Sequence, residues 1–223
     1  MTGLRDVLDA RTAEYRLLDH PFYKAWADGS LSTEDLGFYS TQYWRQVEAF
    51  PDYLSVLAER MAPGRQRAIV ESNLSDEVEG NHAGLWIDFA SSVGVGKEQL
   101  ESSPSEPETE ECVKTFSQGA RQESTAFALG MLYGYESQTP EVARTKADGL
   151  RTLYGIDSDG TRYFDLHAEL DVEHSSELAD AIEDSLTDRT GLDDAARGAA
   201  QGAAAVWSLL DGVARVRKVP AVR

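Results

Sequence analysis

Cysteine is almost absent: Cys112 stands alone in the 223-residue chain. One thiol makes no intrachain disulfide, no CxxC pair and no thiolate zinc cluster. Such sparing use of cysteine fits a cytoplasmic protein, which is the expectation here. Long hydrophobic runs are missing too. No stretch of about 18 apolar residues occurs, so no membrane span is expected. The opening stretch "MTGLRDVLDARTAEYR" alternates charged and apolar residues too soon for a signal peptide. Basic residues are scarce, 21 against 39 acidic ones, for a net charge of −18. That balance argues against nucleic acid, whose phosphates call for a basic face. The acids are scattered over the chain, which reads as a solvated, halophilic surface whose self-repulsion salt would relieve. An acidic interaction surface is the other reading of the same charge.

What is present is a helical pattern. Hydrophobic residues make up 41% of the chain, enough for a core. In "LSTEDLGFYSTQYWRQVEAFPDYLSVLAERM" apolar or aromatic residues fall at 36, 39, 43, 47, 50, 54 and 57, the stripe of one long helix. Ser32 with Asp35, or Thr33, supplies its N-cap, and Pro51 is expected to kink it. Further helices are expected near 3–18, 64–78, 81–94, 107–119, 122–138, 140–155, 160–187 and 193–215. Gly94, Gly119 and Gly155 are expected stops. Thr139 before Pro140 reads as an N-cap and first helical residue. The acidic "ESSPSEPETEE" at 101–111 reads as a surface loop. No strand and no repeat is evident, so the expectation is one all-α domain over residues 1–223.

Histidine is scarce as well, with four in the chain, yet two of them stand in "YFDLHAELDVEH", residues 163–174. His167, Asp171 and His174 are spaced by four and then three residues, which places them in one sector of a helix face. Tyr163, Leu170, Leu178 and Ala181 fall in or beside that sector, whereas Asp165, Glu169 and Glu173 point elsewhere. The polar trio therefore faces inward, where ionisable groups are costly unless paired or bound to a metal. A solvated acidic helix would show the same spacing, so the partners decide.

Two other segments offer partners. "NLSDEVEGNHAGLW" carries Glu77, Glu79 and His82. "ALGMLYGYESQTPEV" ends an apolar run at Glu136, near a helix C-terminus where the macrodipole disfavours a carboxylate. Three carboxylates and three imidazoles on three helices suit two first-row divalent ions such as iron or manganese. A structural zinc site would more often recruit cysteine.

The blocks "HPFYKAWADGSLSTEDLGFYSTQYWRQVEAFPDYLSVL", "NLSDEVEGNHAGLW", "LYGYESQTPEVARTK" and "YFDLHAELDVEH" resemble the CADD family, the Chlamydia proteins associating with death domains. That family lies among the haem-oxygenase-like dimetal oxidases, beside the TenA and PqqC groups. The resemblance runs in order from about residue 18 to residue 178. It implies a compact haem-oxygenase-like bundle holding two metal ions, iron and/or manganese, on Glu77, His82, Glu136, His167, Asp171 and His174. It further implies molecular oxygen as co-substrate, an external reductant and a homodimer; the electron donor is not named by the sequence. The segment between the first Glu and its His is two residues shorter than the family pattern. Glu77 aligns from the N-terminal side, and Glu79 stands as the alternative at Glu-x-x-His spacing.

Proteins of this family are implicated in making p-aminobenzoate for folate, consuming one of their own tyrosines with a lysine as nitrogen donor. The resemblance places these roles on Tyr23 and Lys146, with Tyr39 and Tyr163 lining the site or carrying a radical. A tyrosine side chain already bears oxygen para to Cβ. Breaking Cα–Cβ, oxidising Cβ and exchanging the phenol oxygen for an amine gives the product. The lysine must be neutral to attack, so burial would help it. By themselves Tyr23 reads as core packing and Lys146 as a surface helix residue. Three rivals stand beside this reading: a dimetal oxidase acting on an external small molecule, a TenA-like thiamin-salvage hydrolase using a cysteine, and a non-enzymatic interaction protein.

Overall fold

The computed structural model describes residues 3–186 and 189–220. Among them the regular backbone is all helical, with no strand. The α-helices are α1 (Leu4–Thr12), α2 (Pro21–Ala27), α3 (Thr33–Arg60), α4 (Arg65–Glu79), α5 (His82–Ser92), α6 (Lys97–Ser102), α7 (Pro107–Gln122), α8 (Thr125–Glu136), α9 (Thr139–Leu153), α10 (Ser158–Ser185) and α11 (Arg189–Arg217). The helix expected over 160–187 is α10; residue 187 lies outside the described residues.

Ser32 starts α3 through a capping box. Its Oγ accepts from the Asp35 amide at 3.2 Å, and Asp35 Oδ2 accepts from the Ser32 amide at 2.8 Å. The helix then continues through Pro51 as one 28-residue element. The hydrogen bond lost at the proline is offset by burial on both sides of it, at Phe50, Tyr53 and Leu54. At the centre lies α8, buried from Ala126 to Glu136. It meets α11 almost backbone to backbone: a Cβ on Gly130 or Gly134 would lie 2.1 Å from the Ala195 or Ala199 carbonyl oxygen. This contact fixes where α8 ends, and therefore where Glu136 stands. The long α10 packs against α4, α5, α8 and α9, so its inward face meets each helix expected to supply a site residue.

Several expected boundaries move, each for a local reason. The helix expected over 3–18 stops at Thr12 and gives way to two 3-10 turns, Ala13–Tyr15 and Leu17–Asp19. Arg16 between them is extended (φ −65°, ψ 108°), which turns Leu17 into the core. The acidic stretch at 101–111 is mostly helical rather than loop. Pro107 sits at the first turn of α7 with Glu108 and Glu110, where a fixed φ and negative charge both favour a helix N-terminus. Gln138, not Thr139, is the N-cap of α9. Gly94 and Gly155 follow helix ends with positive φ. Gly119 does not stop α7; it sits inside that helix facing Met131.

Candidate metal centre

The face of α10 read from the sequence is buried at Tyr163, His167, Asp171 and His174, while Glu169 and Glu173 are exposed. Opposite it, α4 ends in a tight junction at Gly80 and Asn81, the latter left-handed (φ 52°). A Cβ on Gly80 would fall 2.7 Å from His82 Nε2 and 2.5 Å from the Asp76 carbonyl oxygen. The reversal swings His82 back over α4, so that its Nδ1 lies 2.8 Å from Glu77 Oε2. Glu79 points to solvent and accepts from Ser75 Oγ at 3.0 Å. The geometry thus sets Glu77, not Glu79, in the site.

Two trios result. In Glu77, His82 and His167 one ligand-type atom from each lies within 4.8 Å of the others, and the same holds for Glu136, Asp171 and His174. Glu77, Glu136, His167 and Asp171 line one cavity of about 10 Å³ together with Tyr135 and Tyr163. His167 Nδ1 is 2.7 Å from the Tyr163 carbonyl oxygen, so this nitrogen is the N–H donor and Nε2 is free, 4.0 Å from Glu77 Oε1. His174 Nε2 is 3.1 Å from Asp76 Oδ2, and its Nδ1 faces Asp171 at 3.5 Å.

The donor set fits two cations. His82 Nε2 is buried without a hydrogen-bond partner, and His82 Nδ1 and His174 Nδ1 face carboxylates at 2.8 and 3.5 Å without hydrogen-bond geometry. Burial and then the Asp171 charge push Glu136 up to about 8, although His174 and Asn73 pull it down. Burial lowers His174, but Asp171, Glu136 and Asp76 outweigh it and hold it up at about 9. Buried carboxylates crowded this way are unfavourable alone and favourable around metal ions. Asn73 donates to both oxygens of Glu136, at 3.0 and 3.2 Å, and Asp76 orients His174. Such outer partners orient metal ligands.

Beyond the wall made by Tyr163 and His167 lies a second cavity, about 20 Å³, lined among others by Tyr23, Tyr43, Tyr135 and Lys146. Tyr163 stacks on His167 with centroids 4.1 Å apart, so it belongs to both. Lys146 is buried, contrary to the surface position its sequence context suggests. Its Nζ lies 4.2 Å above the Tyr23 ring and donates to Tyr39 Oη at 2.7 Å. Desolvation pushes the amine well below its usual range. Tyr39 and Tyr23 share a hydrogen bond of 3.2 Å. Burial raises Tyr23, Tyr39 and Tyr163 above the ordinary phenol range, so all three hold their protons.

The structure therefore gathers the six residues proposed as ligands into two trios, and Tyr23, Tyr39 and Lys146 into a neighbouring chamber. Sequence reasoning missed Asn73, Asp76, Tyr43, Tyr135 and Trp86. For Asn73 a signal existed: it precedes Glu77 by one helical turn. Tyr135 adjoins Glu136. Trp86 stacks on Tyr43 and meets Tyr163 edge-on, at 5.1 and 4.8 Å, a relation no spacing announces. Cys112 is buried beside Gln46, burial raises its thiol, and it lines neither cavity, so it is a poor nucleophile.

Residues 38–207 match a family described as iron-containing redox enzyme. The chain is 34% identical over 212 residues to a 4-aminobenzoate synthase of Chlamydia pneumoniae, covering 94% of both chains. It is 37% identical over 181 residues to a 4-aminobenzoate synthase of Chlamydia muridarum, covering 80% of this chain and 77% of the relative. Its backbone is similar to the crystal structure of a TenA homologue from Pseudomonas syringae pv. tomato, with TM-score 0.82 at 17% identity, covering 96% of this chain and 93% of that one. At that identity the likeness concerns the fold alone.

Proposed function

The chain belongs to the family of iron-containing redox enzymes with the haem-oxygenase-like fold, and from this premise we propose that it is an oxidase that makes 4-aminobenzoate from its own Tyr23, with Lys146 as the amine donor. The observation that carries the proposal is the buried Lys146 amine held 4.2 Å above the Tyr23 ring, where desolvation pushes it toward the neutral form. A protonated lysine has no lone pair to offer; a buried neutral one does. The relatives named 4-aminobenzoate synthase support the product class.

Glu77, His82 and His167 would hold one metal ion, and Glu136, Asp171 and His174 the other. Bound there, two redox-active ions supply the oxidising power of dioxygen, fed by an external reductant. Iron is the metal in the family's description, and manganese in place of one or both ions is part of the proposal. The remaining work falls to the chain. Tyr39 Oη lies between Lys146 Nζ and Tyr23 Oη and is placed to move a proton between them. Tyr163 bridges chamber and metal cavity through its stack on His167. The aromatic walls exclude water from the reacting ring.

The chamber size favours an internal substrate. Its volume of about 20 Å³ is room for roughly one water. A cavity that takes up benzene is on the order of 150 Å³, so an external aromatic has no place beside Tyr23. The acidic surface is proposed in addition to be an adaptation to salt. The test of the reaction is isotopic. Protein grown on ring-labelled tyrosine and given iron, reductant and oxygen should release labelled 4-aminobenzoate, about one per chain, with a matching loss in intact mass. Tyr23→Phe should retain metal and make none. Wild-type yield from Tyr23→Phe would sink the assignment.

A further inference from the structure

The chamber around Lys146 has one side that does not end in core. Its walls at Tyr43, Trp86 and Phe164 are backed by buried groups: Tyr43 donates to Tyr135, the Trp86 indole donates to the Ser40 carbonyl, and Phe164 packs on Phe89. At Leu17, Thr139, Val142 and Ala143 the situation differs. Directly outside lies a surface groove of about 380 Å³, lined by Arg16, Leu18, Gln138 and Val142 among others. Val142 lines both spaces, and Leu17 sits between two groove residues, Arg16 and Leu18. The partition is therefore one side chain thick.

We propose that this groove is the port of the chamber, through which an aromatic carboxylate product leaves, with Leu17 and Val142 as its gate. The proposal rests on the reading of the reaction given above. Any product formed from Tyr23 takes the buried place of its ring and needs a way out. The groove is wide enough for a molecule with one ring, and its charged lining is Arg16 with Asp9 and Glu141, so a carboxylate passes through without being held.

The gate is built to open at small cost. Leu17 opens the second of two single 3-10 turns joined by the extended Arg16, and is not part of a continuous helix. Its backbone N–H donates to Gln138 Oε1 at 2.8 Å, across to the α8–α9 junction. The neighbouring Arg16–Glu141 pair, at 3.1 Å, is half-exposed on both sides and therefore weak. Below the segment the chain is anchored again. His20 Nδ1 accepts from the Phe22 amide at 3.1 Å, which leaves Nε2 as the donor to Asp211, also at 3.1 Å. The turns over the chamber can thus swing while α2, carrying Tyr23, stays in place.

Access can be read without turnover. In metal-free protein, formaldehyde with dimethylamine borane methylates neutral amines, and peptide mass spectrometry gives the rate at Lys146. Lys146 is buried and lines the closed chamber, so the reagent has to enter through the gate to reach it. Leu17→Ala should speed methylation by about tenfold or more. Gln138→Met, which keeps the bulk and loses the anchoring bond, should speed it by about threefold and guards against a Leu17→Ala protein that fails to fold. Leu100→Ala, a loosening of the core at α6 that lines neither space, should leave the rate unchanged. Wild-type rates in both gate variants, or an equal acceleration by Leu100→Ala, overturn the port. In a single turnover with iron, reductant and oxygen, Leu17→Ala should make the same total product after acid quench but pass it through an ultrafiltration membrane about tenfold sooner. Equal release times overturn the port and leave the synthase reading intact. If wild-type protein makes no product while the methylation rates behave as stated, the port stands and the reading of the reaction falls.

Discussion

The two cavities on either side of Tyr163 bury ionisable groups in opposite ways. On one side Glu77, Glu136 and Asp171 crowd together with three histidines. On the other a single lysine stands among aromatic rings, with Tyr23, Tyr39 and Tyr43 within 5.2 Å of its nitrogen. Desolvation acts on both. A lone amine escapes the cost by giving up its proton, since a neutral amine sits acceptably in a ring-lined space. Three carboxylates cannot all escape that way without losing their function as donors, and the charge they leave calls for cations. One physical effect thus shapes both cavities: a ligand cluster suited to cations on one side, and a desolvated amine on the other.

The comparison can be broken from the metal side with the largest effect. His174→Ala should lose at least one metal by elemental analysis and make no product, while Lys146→Met should keep full metal and also make none. Metal held at 100 times its dissociation constant stabilises by about 2.7 kcal/mol. A chelator should therefore lower the unfolding free energy of wild type and of Lys146→Met by about that amount, and that of His174→Ala by less. A His174→Ala protein with two metals would remove the second trio from the site.

Tyr39→Phe sharpens the comparison at the junction of amine and ring. It keeps the packing and removes the hydroxyl between Lys146 and Tyr23. Single-turnover product formation should slow roughly a hundredfold with metal content unchanged. An unaltered rate would mean that the proton travels elsewhere.

The chamber side has its own signature in stability. The Lys146 pKa is depressed on folding, so the unfolded chain binds the proton that the folded chain does not. Between the folded pKa and the ordinary lysine value near 10.4, stability from this group rises with pH by about 1.4 kcal/mol per unit. Below the folded pKa the penalty is constant. Lys146→Met should be more stable than wild type at pH 7, with the difference shrinking as pH climbs toward 10.4. A difference independent of pH over that range would mean that the amine is charged when buried.

The smallest effect concerns neither cavity but the surface around both. With net charge −18, thermal unfolding should shift upward by a few degrees from low salt to about 1 M potassium chloride, where screening acts over about 3 Å. The same shift in metal-free protein would assign it to the surface; a flat response would remove the salt-adaptation reading.

Much of the candidate site was legible because helical periodicity is a one-dimensional signal. His167, Asp171 and His174 share a face by spacing alone, and burial of that face follows from the apolar residues around it. Elsewhere the signal failed where two segments far apart compete for the same backbone group. Leu17 leaves the helical path because Gln138, 121 residues later, takes its amide. Lys146 looked like a surface residue because its neighbours Thr145 and Asp148 are polar. Its own position falls on the inner face of α9, in line with Val142 and Ala143.

The sequence by itself determined the helical class, the absence of an intrachain disulfide or thiolate metal cluster, and the short roll of residues able to bind metal. These depend on residue type and period, which the chain carries locally. Only the tertiary structure decided between Glu77 and Glu79, because the choice turns on a reversal at Gly80 and Asn81 that moves His82 over one carboxylate and away from the other. It alone buried the Lys146 amine and pushed it toward the neutral form. Charge state follows from the number of water molecules a fold removes, and that number belongs to the packed helices rather than to the residue.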